Sequence, residues 1–360
     1  MIERANLPDF EGLNCPIPLS HKDEIILGHG SGGKLTDDLI RSVFLPYFAN
    51  NALLAGNDFA VVPPDPSRTD DGSIMVSTDG HVVSPLFFPG GDIGRLAVSG
   101  TVNDIAMSGG IPLYLTASFI IEEGFSITQL EAIARSMKNA ADEAHVNIIA
   151  GDTKVVERGK ADQLFISTTG IGWLPKSRTI NGHAAQPGDV IIVSGTIGDH
   201  GIAILAAREE LGFITDLHSD VAPLNNLIEI LLQAAPQTHV LRDPTRGGLA
   251  TTLNEIAHQS RVGIWIDEQT LPVHPTVTAA CEMLGFDPLY IANEGKLVAI
   301  IPPDQAEAAL SALHTHPYGR AAAIIGVVKG SPQGQVIMKT PIGGNRIIER
   351  LSGEMLPRIC

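Results

Sequence analysis

A polar stretch rich in proline and glycine, residues 175–189, divides this chain into two halves that each combine strands with helices. The first half leads from a glycine-rich loop to an apolar segment ending near 174, and a second apolar run starts at 190. Such a stretch is typical of a domain boundary, and 360 residues exceed one ordinary core. The sequence therefore predicts a leader at 1–22, domains at 23–175 and 176–350, and a tail at 351–360.

Apolar periodicity predicts the α+β class, with mixed sheets covered on one side by helices. Residues 127–144 repeat apolar side chains at helical spacing, which predicts an amphipathic helix there. In the first half we expect further helices at 35–48 and 93–107 and strands at 24–28, 59–62, 73–78, 113–121, 146–151 and 163–174. In the second half we expect helices near 199–211, 223–235, 247–260 and 275–285 and strands from 190 and at 263–267, 296–302, 321–328 and 335–350.

Charge and cysteine content exclude several classes of protein. A formal net charge of -16 disfavours binding to nucleic acid or anionic membrane surfaces. No apolar run approaches the ~20 residues of a membrane helix, and the N-terminus has no secretory pattern. The three cysteines, Cys15, Cys281 and Cys360, are far apart, so we expect no disulfide framework and no Cys-x-x-Cys zinc site. We therefore expect a cytoplasmic protein.

The glycine-rich loop from Gly28 to Lys34 has three interpretations. It has the G-x-x-x-x-G-K spacing of a P-loop, but Leu35 stands where a P-loop has Ser or Thr. It also has the G-x-G-x-x-G spacing of dinucleotide-binding proteins, although the following segments do not alternate as βαβ units. Thirdly, a flexible segment can fold over phosphates, with backbone amides and Lys34 as donors. A turn without a ligand is the plain alternative.

Four aspartates, Asp58, Asp79, Asp104 and Asp152, stand beside predicted strands or on a predicted helix. Each aspartate alone is typical of a helix cap or a turn. Together they predict a Mg²⁺ site, since carboxylates are the ligands that Mg²⁺ prefers. The predicted nucleotide contacts are Ser31, Gly32, Gly33 and Lys34 of the loop, with Asn103 and Thr153 next to two of the aspartates.

Three further positions are candidates for chemistry. Lys154 can contact a phosphate that the metal binds. The alternative is an ordinary lysine exposed to solvent. Glu294, in Asn-Glu-Gly-Lys before a strand, can act as a general base if it is partly buried. The last residue, Cys360, follows Gly353 and Pro357, so we expect a thiol on a mobile arm. Arg246 can bind an anion at a helix start. His200 can be a ligand or a base, but we expect an ordinary turn histidine.

The blocks HGSGGK, STDG, NDIAMSGG, GDTKVV, GDHG, DPTRGG, NEGK and the final PRIC together resemble the HypE family of hydrogenase maturation proteins. These are carbamoyl dehydratases that belong with the aminoimidazole ribonucleotide synthetase-like ATP-binding proteins. The match covers nearly the whole chain after the leader, and the terminal PRIC points to HypE within the wider family.

The resemblance implies a two-domain PurM-like fold, in which the N-terminal sheets of two subunits close a dimeric barrel with nucleotide sites near the interface. It implies that Cys360 receives a carbamoyl group from the carbamoyltransferase HypF. ATP and Mg²⁺ then serve its dehydration to a thiocyanate, with Glu294 as base and Lys154 assisting. The cyano group passes to iron held by HypC and HypD, for a nickel–iron hydrogenase.

Other functions remain open from sequence. Selenophosphate synthetases of the same family need a reactive Cys or selenocysteine in the glycine-rich loop, where this chain has only His29 and Ser31. Aminoimidazole ribonucleotide synthetase needs no terminal thiol. From a different class, a nucleotide-binding scaffold without catalytic activity is the remaining alternative.

Overall fold

The computed structural model describes residues 23–26, 29, 38–50, 72–208, 215–350 and 359. Its strands form a four-stranded sheet in the first half, a seven-stranded sheet in the second half and a short two-stranded ribbon. The four-stranded sheet ends at Leu174 and the seven-stranded sheet begins at Val190. No strand lies in the polar stretch between them.

The strands of the first half are β1 (Ser73–His81), the ribbon β2 (Phe87–Phe88) and β3 (Gly91–Asp92), β4 (Ile111–Glu122), β5 (Asn147–Val156) and β6 (Leu164–Leu174). The sheet has the order β1-β6-β4-β5, and only the β4–β5 pair is parallel. Buried and less buried side chains alternate along β4 and β6. This period of two indicates that one face of the sheet packs on helices and the other does not.

Helix α2 (Ile93–Met107) lies on the packed face, after the short α1 (Leu45–Phe48). It begins at Asp92, whose Oδ1 accepts the first free backbone N–H groups at 2.8 and 2.9 Å. The sheet leaves room for the helix through Gly170 and Gly172, where a Cβ would lie 2.6 and 2.5 Å from Ile105 side-chain atoms. Small residues in β6 therefore set how closely α2 approaches the sheet.

Helix α3 (Ile127–Glu143) packs beside α2 and begins at Ser126, whose Oγ accepts the N–H of Gln129. A π-helical turn, Ile40–Phe44, precedes α1 and packs against α3. One face of α3 is fully buried, and each large apolar side chain on it contributes about 1.5–3 kcal/mol. These residues are Leu130, Ile133 and Met137.

The second half has a mixed seven-stranded sheet. Its strands are β7 (Val190–Val193), β8 (Val240–Arg242), β9 (Gly263–Asp267), β10 (Val298–Ile301), β11 (Ala323–Lys329), β12 (Gln335–Lys339) and β13 (Asn345–Ile348), in the order β13-β12-β9-β11-β7-β10-β8. The helices are α4 (Asp199–Ala207), α5 (Asn225–Ala234), α6 (Gly248–Ser260), α7 (Pro275–Leu284) and α8 (Ala306–His314). Short 3₁₀ turns lie at Glu268–Thr270, Pro288–Tyr290 and Pro317–Gly319. The central strands β7 and β10 are almost wholly buried, because helices cover both of their faces. The prediction that helices cover only one side of each sheet is therefore wrong for these strands.

Arg95 of α2 joins the two halves. Its Nε donates to the Val221 carbonyl at 2.9 Å, Nη1 to Glu143 Oε2 at 2.9 Å and Nη2 to Tyr318 Oη at 3.1 Å. Buried apolar side chains of each half also belong to the core of the other, among them Met107. The halves therefore form a packed interface rather than two loosely linked bodies.

Several predicted elements are observed. The helices expected at 93–107 and 127–144 occur at Ile93–Met107 and Ile127–Glu143. Strand β5 runs past its expected end at 151, since residues up to Val156 continue to pair with β4. Neither α8 nor the three-residue β8 was predicted. At 24–28 the described residues make only one bridge, between Glu24 and Ser126, and the strand expected at 59–62 lies outside the described residues.

Within the described residues, no helix has both the length and the apolar character needed to cross a membrane.

Candidate active site

Strand β1 and helix α2 bring two of the predicted aspartates to the same side of the first sheet. Asp104 of α2 accepts a hydrogen bond from Ser77 Oγ at 2.7 Å, and Asp79 lies two residues beyond Ser77 on the same face of β1. Burial raises the pKa of Asp104 to about 6, and the negative charges of Asp243 and Asp79 add to the rise. Asp79, Asp104 and Asp243 therefore form one electrostatically coupled group.

His81 follows on the same face and is buried against this group. Its Nε2 lies 3.1 Å from Thr168 Oγ1 and 3.8 Å from Asp79 Oδ2. Burial lowers the pKa of His81, while the nearby Asp79 charge opposes that effect. The neutral imidazole therefore adds little positive charge to balance the carboxylates.

Glu294 comes from the second half and is 5% exposed. Its backbone N–H donates to Asp220 Oδ1 at 3.0 Å, and its Oε1 has no hydrogen-bond partner in the described part of the chain. At the next position, Gly295, a Cβ would lie 1.7 Å from the Asp220 carbonyl oxygen, so a side chain there is excluded.

Burial raises the pKa of Glu294 well above its ordinary 4.5, and the charges of Asp220, Asp243 and Asp79 raise it further. A carboxylate with a raised pKa and an uncommitted oxygen has the properties of a general base at neutral pH. Glu294 is thus buried, which is the condition predicted from the sequence for a general base at this position.

A cavity of about 500 Å³ opens between the two halves, and it is lined in part by Asp220, the acceptor of the Glu294 N–H. Its lining includes Arg95, Asp220 and Lys296. The Lys296 Nζ lies 3.1 Å from Asp220 Oδ2 and 3.9 Å from Asp199 Oδ2. Lys296 thus offsets part of the negative charge of Asp220 and Asp199.

Asn103, a predicted nucleotide contact, is buried between the halves. Its Nδ2 donates to the carbonyls of Ala222 and Glu294 at 3.0 and 3.4 Å, and its Oδ1 accepts the Leu224 N–H at 2.7 Å. Through these hydrogen bonds Asn103 holds the loop that carries Glu294 against α2.

Asp152 and Lys154 lie on the opposite face of the first sheet. The strand register aligns Asp152 with Ser118, Ser167 and Gly80, so it points away from α2, whereas Asp79 points towards it. The Lys154 Nζ pairs with Asp152 Oδ1 at 3.0 Å, and both side chains are exposed. Thr153 between them points to the α2 side, and its N–H donates to Asp152 Oδ1 at 2.9 Å. The structure does not bring this pair to Asp79 and Asp104 within one subunit.

The acidic group has the donor chemistry that Mg²⁺ prefers, because Asp79, Asp104 and Asp243 offer hard carboxylate oxygens. In the described ranges, however, no three His, Cys, Asp or Glu side chains come close enough to hold a metal ion. The other predicted residues, namely Asp58, Ser31, Gly32, Gly33, Lys34 and Cys360, lie outside the described residues.

Ile359, the described residue of the predicted tail, is buried in the core of the first half. Ile359 forms an antiparallel bridge with Val83, two residues after His81. The Ile359 carbonyl also accepts a hydrogen bond from His200 Nε2 at 2.5 Å. The residue before Cys360 is therefore held between the two halves.

Sequence reasoning missed three residues of the site. Asp243 belongs to the Asp-Pro-Thr-Arg-Gly-Gly block, where the sequence pattern indicates only Arg246 as an anion ligand. Asp220 lies in an irregular loop without a motif, so no sequence signal identified it. His200 was expected to be an ordinary turn histidine, but it is fully buried at the start of α4 and contacts the tail.

Two family descriptions match the chain. They are "AIR synthase related protein, N-terminal domain" at residues 56–174 and "AIR synthase related protein, C-terminal domain" at 186–339. A protein of Rhizobium leguminosarum bv. viciae named carbamoyl dehydratase HypE is 56% identical over 338 residues, which covers 93% of this chain and 95% of that protein.

Two solved structures are also similar. The crystal structure of hydrogenase maturation protein HypE in complex with ATP has a TM-score of 0.87 and 49% identity, and covers 93% of this chain and 99% of that chain. The crystal structure of a HypE–HypF complex has a TM-score of 0.75 and 49% identity, with 89% of this chain and 100% of that chain covered. The resemblance stated from sequence is thereby confirmed.

Proposed function

Since the chain belongs to the HypE family of carbamoyl dehydratases, it is an ATP-dependent dehydratase of hydrogenase maturation, and we propose that its substrate group is carried on Cys360. The product is a thiocyanate on the same sulfur, which supplies the cyanide ligand of a nickel–iron hydrogenase. The docking of Ile359 carries this proposal, because Ile359 bridges Val83, two residues from His81, and accepts a hydrogen bond from His200. The charge of Asp220, which accepts the Glu294 N–H, acts on the same His200.

The reaction needs a phosphoryl donor and a base. The thiocarbamate oxygen takes the γ-phosphoryl group of ATP, the nitrogen loses both protons, and phosphate departs with the oxygen. The products are the thiocyanate, ADP, hydrogenphosphate and one proton, since one of the two nitrogen protons ends on the departing phosphate. Glu294 accepts a nitrogen proton in this proposal, since its pKa is raised and its Oε1 is uncommitted. Tethering to Cys360 keeps the reacting group at high effective concentration.

We assign the nucleotide to Ser31, Gly32, Gly33, Lys34 and Thr153, and Mg²⁺ to the aspartates. Asp79 and Asp104 share one face and are electrostatically coupled to Asp243, so these three are our first choice for the metal, and they would have to approach one another to hold it. Asp58 and Asp152 stay proposed ligands. Bound Mg²⁺ neutralises charge on the transferred phosphoryl group. Asn103 acts in this assignment by holding the loop of Glu294. Lys154 assists only if the nucleotide extends to the outer face of the first sheet.

We propose that this outer face forms the homodimer and closes the barrel of strands. It exposes Ile74, Val76 and Ile120, of which Ile74 is 72% and Val76 67% exposed. Large apolar side chains in a row on a sheet are typical of an interaction surface. The Asp152–Lys154 pair lies on the same face and would lie near the interface.

The proposed partners follow from the family. A HypE–HypF complex has been solved, so we propose that this chain receives its carbamoyl group from the carbamoyltransferase HypF. The complex of HypC and HypD then accepts the cyano group. We place these steps in the cytoplasm and propose no nucleic acid or membrane partner.

The test is the intact mass of the protein after incubation with the carbamoyltransferase, carbamoyl phosphate and ATP. We expect a carbamoyl adduct that loses one water only when ATP is present and that is absent from Cys360→Ala. ATP consumption without any adduct on Cys360 would instead assign the chain to a branch of the family that acts on a free small molecule.

A further inference from the structure

His200 is a fully buried histidine with both ring nitrogens engaged. Its Nδ1 lies 2.8 Å from Ser219 Oγ, and its Nε2 lies 2.5 Å from the Ile359 carbonyl oxygen. Phe88 meets the ring edge-on, with centroids 5.7 Å apart. Packing and hydrogen bonds therefore fix the orientation of the imidazole.

The hydrogen-bond pattern determines which nitrogen carries the proton. Ser219 Oγ accepts the Val221 N–H at 3.1 Å and donates its own proton to His200 Nδ1. The Ile359 carbonyl has no proton, so His200 Nε2 must be the donor to it. Burial lowers the pKa of His200, which favours this neutral form.

The segment that orients His200 also orients Glu294. Ser219 contacts the imidazole, and its neighbour Asp220 accepts the backbone N–H of Glu294. The Ser219 N–H donates to the Pro89 carbonyl of the first half at 2.8 Å. Consecutive residues of one anchored segment thus set the positions of the tail and of the base.

We propose that His200, oriented by Ser219, is a positioning residue that docks the tail through the Ile359 carbonyl and so presents the loaded Cys360 to Glu294. The proposal rests on the proposed function, in that Cys360 carries the reacting group. In this proposal His200 acts in the dehydration step. It has no role in loading, because loading requires the tail to leave the site and reach another protein.

Thiol accessibility measures docking without any catalytic turnover. The rate of Cys360 alkylation by iodoacetamide is followed by peptide mass spectrometry in the full chain. His200→Leu removes the donor and is expected to raise the rate roughly tenfold, the factor that corresponds to about 1.4 kcal/mol. His200→Gln keeps an N–H donor and is expected to restore part of the protection. His183→Leu, at an exposed histidine, is the matched control and is expected to leave the rate unchanged.

Cys281 reports whether the variants remain folded, because it is buried and burial raises its pKa to about 11. Equal Cys360 rates in His200→Leu and the parent protein, with Cys281 still protected, would overturn the proposal. If Cys281 becomes reactive in His200→Leu, that variant has lost its fold, and the smaller change Ser219→Ala is used to test the docking of the tail instead. A rise in its Cys360 rate supports the proposal, and an unchanged rate overturns it.

Dehydration distinguishes this proposal from the proposed function. In His200→Leu, loading by the carbamoyltransferase should proceed at the parent rate or faster, while ATP-dependent loss of water slows and carbamoylated protein accumulates. If the parent protein itself never loses water, the proposed function fails, yet the alkylation rates still decide whether His200 docks the tail. Equal dehydration rates in parent and His200→Leu count against the positioning role.

Discussion

The two faces of the first sheet carry the same kind of residue in different surroundings. On the face towards α2, Asp79 and Asp104 are partly buried beside other acids, and burial raises the pKa of Asp104 to about 6. On the outer face, Asp152 is exposed and paired with Lys154. Asp79 and Asp152 stand in similar motifs but differ in chemistry, because alternation along the strands places their side chains on opposite faces of the sheet. We propose that proton chemistry and the metal ligands Asp79, Asp104 and Asp243 belong to the inner face, and that subunit pairing belongs to the outer face.

The largest expected effect comes from Glu294→Gln. Removal of the base should slow ATP-dependent dehydration about 10²–10⁴-fold and leave loading of Cys360 intact. Single-turnover mass measurements on preloaded protein test this, with Glu282→Gln on the exposed side of α7 as the matched control. Dehydration at the parent rate would remove Glu294 from the mechanism.

The outer face is tested by Val76→Asp. A charge on a desolvated sheet surface should weaken the dimer at least roughly a hundredfold, since burying an unpaired carboxylate costs several kcal/mol. Light scattering across a dilution series measures the association. Ile342→Asp, at a 96% exposed apolar residue of the second half, is the control. A Val76→Asp dimer as tight as that of the parent protein would contradict the assignment of this face.

Asp104→Asn should make the metal-free protein more stable. The rise of the Asp104 pKa from 3.8 to about 6 corresponds to about 3 kcal/mol. The folded state carries no such cost below pH 3.8, where the group is protonated in both states; the cost grows up to about pH 6 and is complete above it.

The gain in unfolding free energy of Asp104→Asn should therefore appear as pH rises from 4 to 7 with a chelator present. Denaturant titrations measure it, and Asp142→Asn at an exposed surface pair provides the control. Added Mg²⁺ should stabilise the parent protein and not the variant. A gain that is equal at pH 4 and pH 7 would contradict the inner-face account.

The smallest expected effect on folding is that of Lys154→Ala. Because its pair with Asp152 is exposed, the unfolding free energy should change by less than about 1 kcal/mol. If the nucleotide extends to the outer face, ATP-dependent dehydration should nevertheless slow roughly tenfold through loss of one charge contact. A parent-like dehydration rate would end the assignment of Lys154 to catalysis.

Much of this architecture was predictable. Helix α3 was located by apolar periodicity, α2 as a helical stretch between two predicted strands, and Glu294 by its place before β10. The faces of the sheet were not predictable, because four separate motifs do not reveal which strands pair or in which register. Asp220 lies in an irregular loop, and His200 contacts that loop and the tail. These segments come together only through the packing of the two halves. No local sequence pattern predicts the contact between this loop, His200 and the tail.

The pH dependence of single-turnover dehydration tests the central claim most directly, with Asp220→Asn compared against the parent protein. The account predicts that the parent rate falls on acidification well above pH 4.5, the ordinary pKa of a glutamate. In Asp220→Asn the amide oxygen still accepts the Glu294 N–H, but one negative charge is gone. The pKa of Glu294 then falls, and the loss of rate should move to lower pH. A loss of rate at the same pH in both proteins, or one near pH 4.5 in the parent, would contradict a buried, acid-surrounded base.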